Sequence, residues 1–468
     1  MKKLPWLIPI LLVASAAHTA APPRAPNFAE HVAPIVYGNC APCHRPGEAT
    51  PFALTSYEDV RRRGRMIADV TASGYMPPWH ASSAMAGFRH DRRLTDAQVR
   101  TISDWVAAGM PRGDASREPP LPKFTAGWQL GEPDLVVRMD QPMQVPEDGP
   151  DIYRNFAIPL GLPEGKWVRA IEFRPTGKSS HHALFFFDTT GNALQMDQRD
   201  PAPGYNGMSL VGSGGAGNLR ALLSRGTTGQ DAPIGILGGW AVGGRPAELP
   251  EGVARWLPAG AALVLQMHFH PSGKPETERA VIGIYFAKEA PARPLIELQL
   301  PPLFGALAGI DLPAGASRVM VKDSFTLPID VEVLSAGGHA HYLASDMKMT
   351  VTPPGGAPRD LLSIDHWDFS WQERYYFAQP VRLAAGTRID VALAYDNSAA
   401  NPANPFSPPR RVRWGQESTD EMGSITLEML PVREADLPRY TAAVREHLAQ
   451  AATQLIGNIM GREQAGQQ

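Results

Sequence analysis

Two cysteines in a chain of 468 residues give the first constraint, because both fall inside one pentapeptide, Cys40-Ala41-Pro42-Cys43-His44. A Cys-x-x-Cys-His run places two thiols to form thioethers with the vinyl groups of a haem, while the next imidazole becomes an iron ligand. Cys40, Cys43 and His44 are therefore expected to attach a haem c. The competing uses of such a pair fit less well. A disulfide redox pair lacks a thioredoxin-like βαβ context here, and a zinc site lacks a further cysteine pair.

Lys2 and Lys3 precede an apolar run from Leu4 to Ala17, followed by small residues as far as Ala21. The run is too short to span a bilayer comfortably and reads as a secretory signal over residues 1–21, with cleavage after Ala16, Ala17, Ala20 or Ala21. A retained anchor is the alternative. No later run approaches the ~18 apolar residues of a spanning helix, so no transmembrane segment is expected after cleavage. Signal and haem motif together point to the periplasm. The net charge of −3, without any basic run, removes the usual case for a nucleic-acid partner.

The length suggests about three domains at ~150 residues each. Residues 25–115 look like a small all-α haem domain. Phe28 to Val36 can form a helix leading into the pentapeptide. A second helix starts at Thr95, where Thr95 and Gln98 make a capping box, and presents Val99, Ile102 and Val106 before Gly109 stops it. This second helix is expected to pack on the first, as the terminal helices do in class I cytochromes c, which residues 25–115 resemble. The resemblance implies a second axial ligand for the iron. Met76, on a loop stiffened by Pro77 and Pro78, is the choice, with Met66, Met85, Met110, His80 and His90 as substitutes.

Residues 116–125 are Pro-rich and polar and read as a linker. Beyond them, 44 Gly and 46 Pro, above the roughly 7% and 5% of average usage, suit a turn-rich β architecture. Strand-like runs cover 135–137, 167–173, 183–187, 261–269, 331–334, 347–351, 389–394 and 424–430, and a helix is expected over 437–460. The expected fold is multidomain: the all-α unit, then two antiparallel, jelly-roll-like β-sandwiches over 126–300 and 301–435, then a helical tail over 436–468. The glycine run Gly212–Gly217 is read as a loop, because no strand-glycine-helix unit with a downstream acid surrounds it.

Six of the thirteen histidines form three tight pairs: His181 with His182, His268 with His270, and His339 with His341. Burying several imidazoles without metals or partners is costly, which makes these pairs candidate ligands. His339 and His341 point to one face of a strand. His181 and His182 need a bulge or a strand end to act together. His268 and His270 share a face, although Pro271 ends that strand and can turn His270 away. Zinc, copper, iron and nickel all accept imidazoles, and spacing alone does not choose among them. The isolated His366, near Trp367 and Trp371, reads as a polar member of an aromatic core; His31, His80, His90 and His447 read as solvated or locally bonded. The Asn- and Pro-rich segment 395–409 reads as a long loop that shapes access near Met422.

The order HHALFFF, LVLQMHFHPSG, GGHAHYLA and TDEMG resembles the copper type II ascorbate-dependent monooxygenases, the peptidylglycine α-hydroxylating and dopamine β-monooxygenase family, over about residues 125–435. The resemblance implies two copper ions. His181, His182 and His268 would hold an electron-transferring copper; His339, His341 and Met422 would hold the copper that meets dioxygen, the thioether favouring Cu(I). It also implies a small organic substrate hydroxylated at a C–H bond, and a periplasmic electron donor or ascorbate-like reductant. The fused haem suggests that electrons are relayed through it to the first copper. There are departures. Where the peptidylglycine branch has a carboxylate-clamping Arg, Asn and Tyr, this chain has Gly337, Ser424 and Thr426, so a peptide carboxylate is not the expected substrate. The sandwiches also lack the family's disulfides, which leaves core burial and metal binding to stabilise them. Two other readings use the same residues: a non-catalytic copper-binding electron carrier, and a zinc hydrolase.

Overall fold

The computed structural model describes residues 25–46, 50, 52–124, 127–206, 233–241, 246, 248–415 and 417–465. The expected signal and the Gly212–Gly217 loop lie outside these residues. The described chain is mostly antiparallel β-sheet, with short helices near its start and a long helix, Leu437–Ala465, at its end. Among the described residues no helix is long and apolar enough to cross a membrane.

Two sheets enclose the first β core. In one, the strands lie in the order Tyr205–Asn206, Ile152–Pro159, Ala262–Phe269, Ser180–Asp188 and Ile234–Ala241; in the other, Leu135–Arg138, Val281–Phe286, Lys166–Arg174 and Arg255–Leu257. Alternate side chains Ala183, Phe185 and Phe187 enter the shared core with Leu263, Leu265, Met267 and Phe269, as a two-residue period requires. Ala262–Phe269 is buried along its whole length, because helix Asn192–Arg199 covers its other face beside Val264. That explains its nearly unbroken apolar run.

The second β core lies between another five-stranded and another four-stranded sheet. The first has the order Ala81–Ser82, Arg359–Ile364, Ala344–Thr352, Arg388–Tyr395, Val319–Thr326; the second has Ile296–Leu300, Gly423–Pro431, Val331–Ala340, Arg374–Leu383. Since Ile296–Leu300 pairs with Gly423–Pro431, the boundary between the sandwiches falls before residue 296, not at 300. The sandwiches meet through Val253 and Leu249 of the first against Leu334, Leu430 and Leu295 of the second. Arg255 of the first also pairs with the fully buried Glu428 of the second.

The helical region departs from an independent unit. Its expected parts are present: a wide turn at Phe28–Val32 runs into helix Ala33–Asn39, and Thr95 with Gln98 caps helix Asp96–Ala107. The two pack through Phe28 and Trp105, with ring centroids 6.0 Å apart. Residues 79–88, however, leave the helices for the second sandwich. Ala81 and Ser82 pair with Ile364 and Ser363, while Trp79 and Phe88 enter that core against Tyr375 and Phe377. Three large rings that could not be buried in so small a helical cluster are buried there instead. The expected linker is docked as well, because Tyr37 donates to Glu118 at 2.6 Å and the Arg45 guanidinium lies over Phe124.

Candidate metal centre

Among the described residues, His181, His182 and His268 form one group whose ligating atoms all lie within 4.8 Å of one another. Strand pairing builds it. His268 lies opposite His182, but the next residue, Phe269, lies opposite Ser180, so His181 is the extra residue of a bulge. The bulge satisfies the condition that two adjacent histidines serve one site. Ring centroids are 4.9 Å apart for His181 and His268, and 4.6 Å for His182 and His268. His270, just past the strand end, turns outward with a side chain 65% exposed, and its Nδ1 lies 2.8 Å from Asp151. His268 is thus the third member, and His270 is not.

His339 and His341 form a second cluster at the end of Val331–Ala340, with rings 5.4 Å apart. Nδ1–H of His339 donates to Gln372 Oε1 at 2.6 Å, and the amide nitrogen of Gln372 donates to the Phe369 carbonyl, which fixes the amide's orientation. Nδ1–H of His341 donates to the Asp420 carbonyl at 3.2 Å. Both rings therefore keep Nε2 for another partner. Ala340 pairs with Gly423, so one step further along each strand brings Met422 beside His341. A buried carboxylate ties them together. Glu421 Oε1 accepts from the backbone N–H of His341 at 2.6 Å and of Met422 at 2.9 Å, and Oε2 accepts from that of Leu343.

Burial dominates the electrostatics. It pushes His181 and His339 down to about 4, His341 to about 3, and His182 well below the ordinary imidazole range. Neutral rings are the ligating form. His181 Nδ1, His339 Nε2 and both ring nitrogens of His268 are buried without a hydrogen-bond partner. Burial works to raise Asp151, but His268 and His270 hold it well below the usual carboxylate range. Glu421 is pushed up to about 8 by burial, against the pull of its three backbone donors.

Phe369 stands between the clusters, its ring 5.9 Å from His268 and 5.7 Å from His341. It also lines a cleft of about 930 Å³ together with Asp151, Tyr342, Trp367, Asp368 and Glu417. Pro402 to Pro405 form part of this wall, as expected of the Asn- and Pro-rich loop. Two assignments are corrected. His366 is exposed at the cleft instead of in an aromatic core, and the half-buried His80 lines the cleft, its Nε2 without a partner. Gly337 lies opposite Arg374, whose guanidinium is paired with Glu428. No Lys or Arg is among the described lining residues.

In the pentapeptide, the Cys40 carbonyl accepts from the backbone N–H of both Cys43 and His44, one helical turn that keeps the three side chains together. His44 stacks on Phe52, and its Nδ1–H donates to the Phe52 carbonyl at 3.2 Å, which leaves Nε2 for iron. Met76 is partly buried on the loop after helix Gly64–Ala72. Of its substitutes, Met85 packs against the second sandwich core and Met66 is exposed, while Met110 stays in the helical core.

Sequence reasoning missed Asp151, Glu421, Gln372 and Phe369. Glu421 lay inside a quoted motif, TDEMG, but nothing in a lone acidic residue announces burial.

No family model and no curated protein matches this chain. Among solved structures, the VP2 subviral particle of infectious bursal disease virus is 8% identical, covering 67% of this chain and 74% of that one, with a TM-score of 0.19. The major capsid protein P2 of bacteriophage PM2 is 11% identical over 60% of this chain and 98% of that one, with a TM-score of 0.23. PNGF-II is 10% identical over 63% and 60%, at 0.20. Likenesses at these scores carry no argument.

Proposed function

We propose that this chain is a periplasmic, haem- and copper-containing oxidoreductase that hydroxylates a C–H bond of a small organic substrate with dioxygen. The helical region is read as a cytochrome c domain and the β units as jelly-roll-like sandwiches. The observation that carries the reading is the pairing of two buried imidazole clusters on either side of Phe369, beside one cleft. The donors fit copper: three imidazoles with orphaned nitrogens in one cluster, and two imidazoles beside a buried thioether in the other. Cys40, Cys43 and the free Nε2 of His44 fit a haem c, with Met76 as the second axial ligand.

Bound copper would supply the two one-electron steps that, with two protons, turn dioxygen and a C–H bond into an alcohol and water. The chain's residues do the rest. Gln372 and the Asp420 carbonyl aim His339 and His341, Glu421 holds Met422 next to them, and Phe369 keeps the clusters apart and dry. Asp151, Asp368 and Glu417, with no cation beside them, favour a neutral or cationic substrate over an anionic one.

Metal analysis of haem-matured protein tests this directly, with two coppers and one iron per chain expected. Zinc in place of copper would favour a hydrolase, and copper without dioxygen uptake by any reductant would leave an electron carrier. The haem is proposed to pass single electrons from a periplasmic donor to the His181, His182 and His268 copper, supplementing an ascorbate-like reductant. Anaerobically reduced haem that is not reoxidised by the oxidised copper would remove that relay.

A further inference from the structure

We infer that Asp151 is a fourth ligand of the first cluster, its Oδ2 meeting the same ion as His181, His182 and His268; this rests on the metal reading of that cluster. Asp151 immediately precedes the strand Ile152–Pro159, and continuing the pairing of Phe269 with Ile152 puts it opposite His270. Nδ1 of His270 holds Oδ1 at 2.8 Å, which leaves Oδ2 beside His268.

Oδ2 lies 2.8 Å from Nε2 of His268, yet the two are not aligned as a hydrogen bond, and both nitrogens of this 1% exposed ring lack such a partner. A nitrogen and an oxygen bonded to one ion at about 2.0–2.2 Å, at an angle of roughly 90–110°, sit about 2.8–3.4 Å apart. The observed separation is therefore that of neighbouring ligands. Two hydroxyls from the second sandwich, Tyr342 at 3.3 Å and Ser418 at 3.4 Å, steady Oδ2 from the far side. A carboxylate among three neutral imidazoles also compensates a divalent charge, so it favours Cu(II) over Cu(I) at this site. The second cluster, with its thioether, has the opposite bias. Electrons would then leave the second copper last.

The test uses the full-length, haem-loaded chain with His341→Ala, so that only the first cluster binds, titrated with Cu(II) and read by electron paramagnetic resonance and X-ray absorption. Three nitrogens and one oxygen are expected around the ion. Asp151→Asn should change the copper hyperfine coupling, weaken Cu(II) binding by about 10- to 100-fold and raise the reduction potential, and Asp151→Glu should restore part of each. Unchanged coupling in Asp151→Asn overturns the assignment, even if affinity falls, because an orienting carboxylate alters affinity alone. If the His341→Ala parent shows no histidine-bound Cu(II) signal, the metal reading fails and this inference with it.

Discussion

Glu421 accepts three backbone N–H groups around the second cluster, and all three belong to the segments carrying His341 and Met422. Truncation to alanine strands buried donors, at about 1–3 kcal/mol for each N–H left unpaired. Glu421→Ala should therefore lower the denaturation midpoint. It should also release metal from the His339, His341 and Met422 cluster while the first cluster keeps its own, a split that metal analysis reads directly. Equal loss from both clusters would show that the carboxylate supports the fold generally and not that one site. The histidines and Met422 were legible beforehand because paired imidazoles and an ordered set of motifs stand out from composition. Glu421, Gln372 and Asp151 were not, because what makes them matter is burial and cross-strand position, and neither has a local signature.

At the level of elements, the bulge at His181 and the strap at residues 79–88 do most to set the geometry. The need for a bulge followed from two adjacent histidines, since a regular strand sends neighbours to opposite faces. The strap was hidden, because Trp79-His80-Ala81 is too short a run to read as a strand and its partners lie nearly 300 residues away. Strands such as Arg374–Leu383 were missed for a related reason: its polar, partly exposed residues break the apolar alternation. Trp79→Ala should cost about 3–5 kcal/mol, as for other large buried rings. Denaturant unfolding followed at both the haem band and the far ultraviolet should show the second sandwich weakened. If only the haem region loosens, the ring does not belong to the sandwich core.

For the whole molecule, the two sandwiches share an apolar seam and the buried Arg255 to Glu428 pair, so metal sites and domain packing respond together. Unfolded imidazoles take up protons near 6.5, whereas His181, His339 and His341 in the metal-free fold do so only near 4 and 3. Between those values the unfolded chain binds more protons, so stability falls as pH drops from about 6.5 toward 4. Thermal unfolding of metal-free protein across that window should show the decline, and copper added at neutral pH should raise the midpoint with concentration. A flat profile would mean the rings are hydrated and not buried.

The path of residues 79–88 also bears on how the protein can be dissected. The chain crosses from the helices into the second sandwich and back again before the polar stretch at 116–125 begins. A protease cutting that stretch would produce two fragments that stay clasped, since Trp79 and Phe88 remain lodged beside Tyr375 and Phe377. Expressing residues from 126 onward would leave a sheet edge bare and an aromatic socket empty, which favours aggregation. The haem-bearing part is better regarded as grafted onto its neighbour than tethered to it.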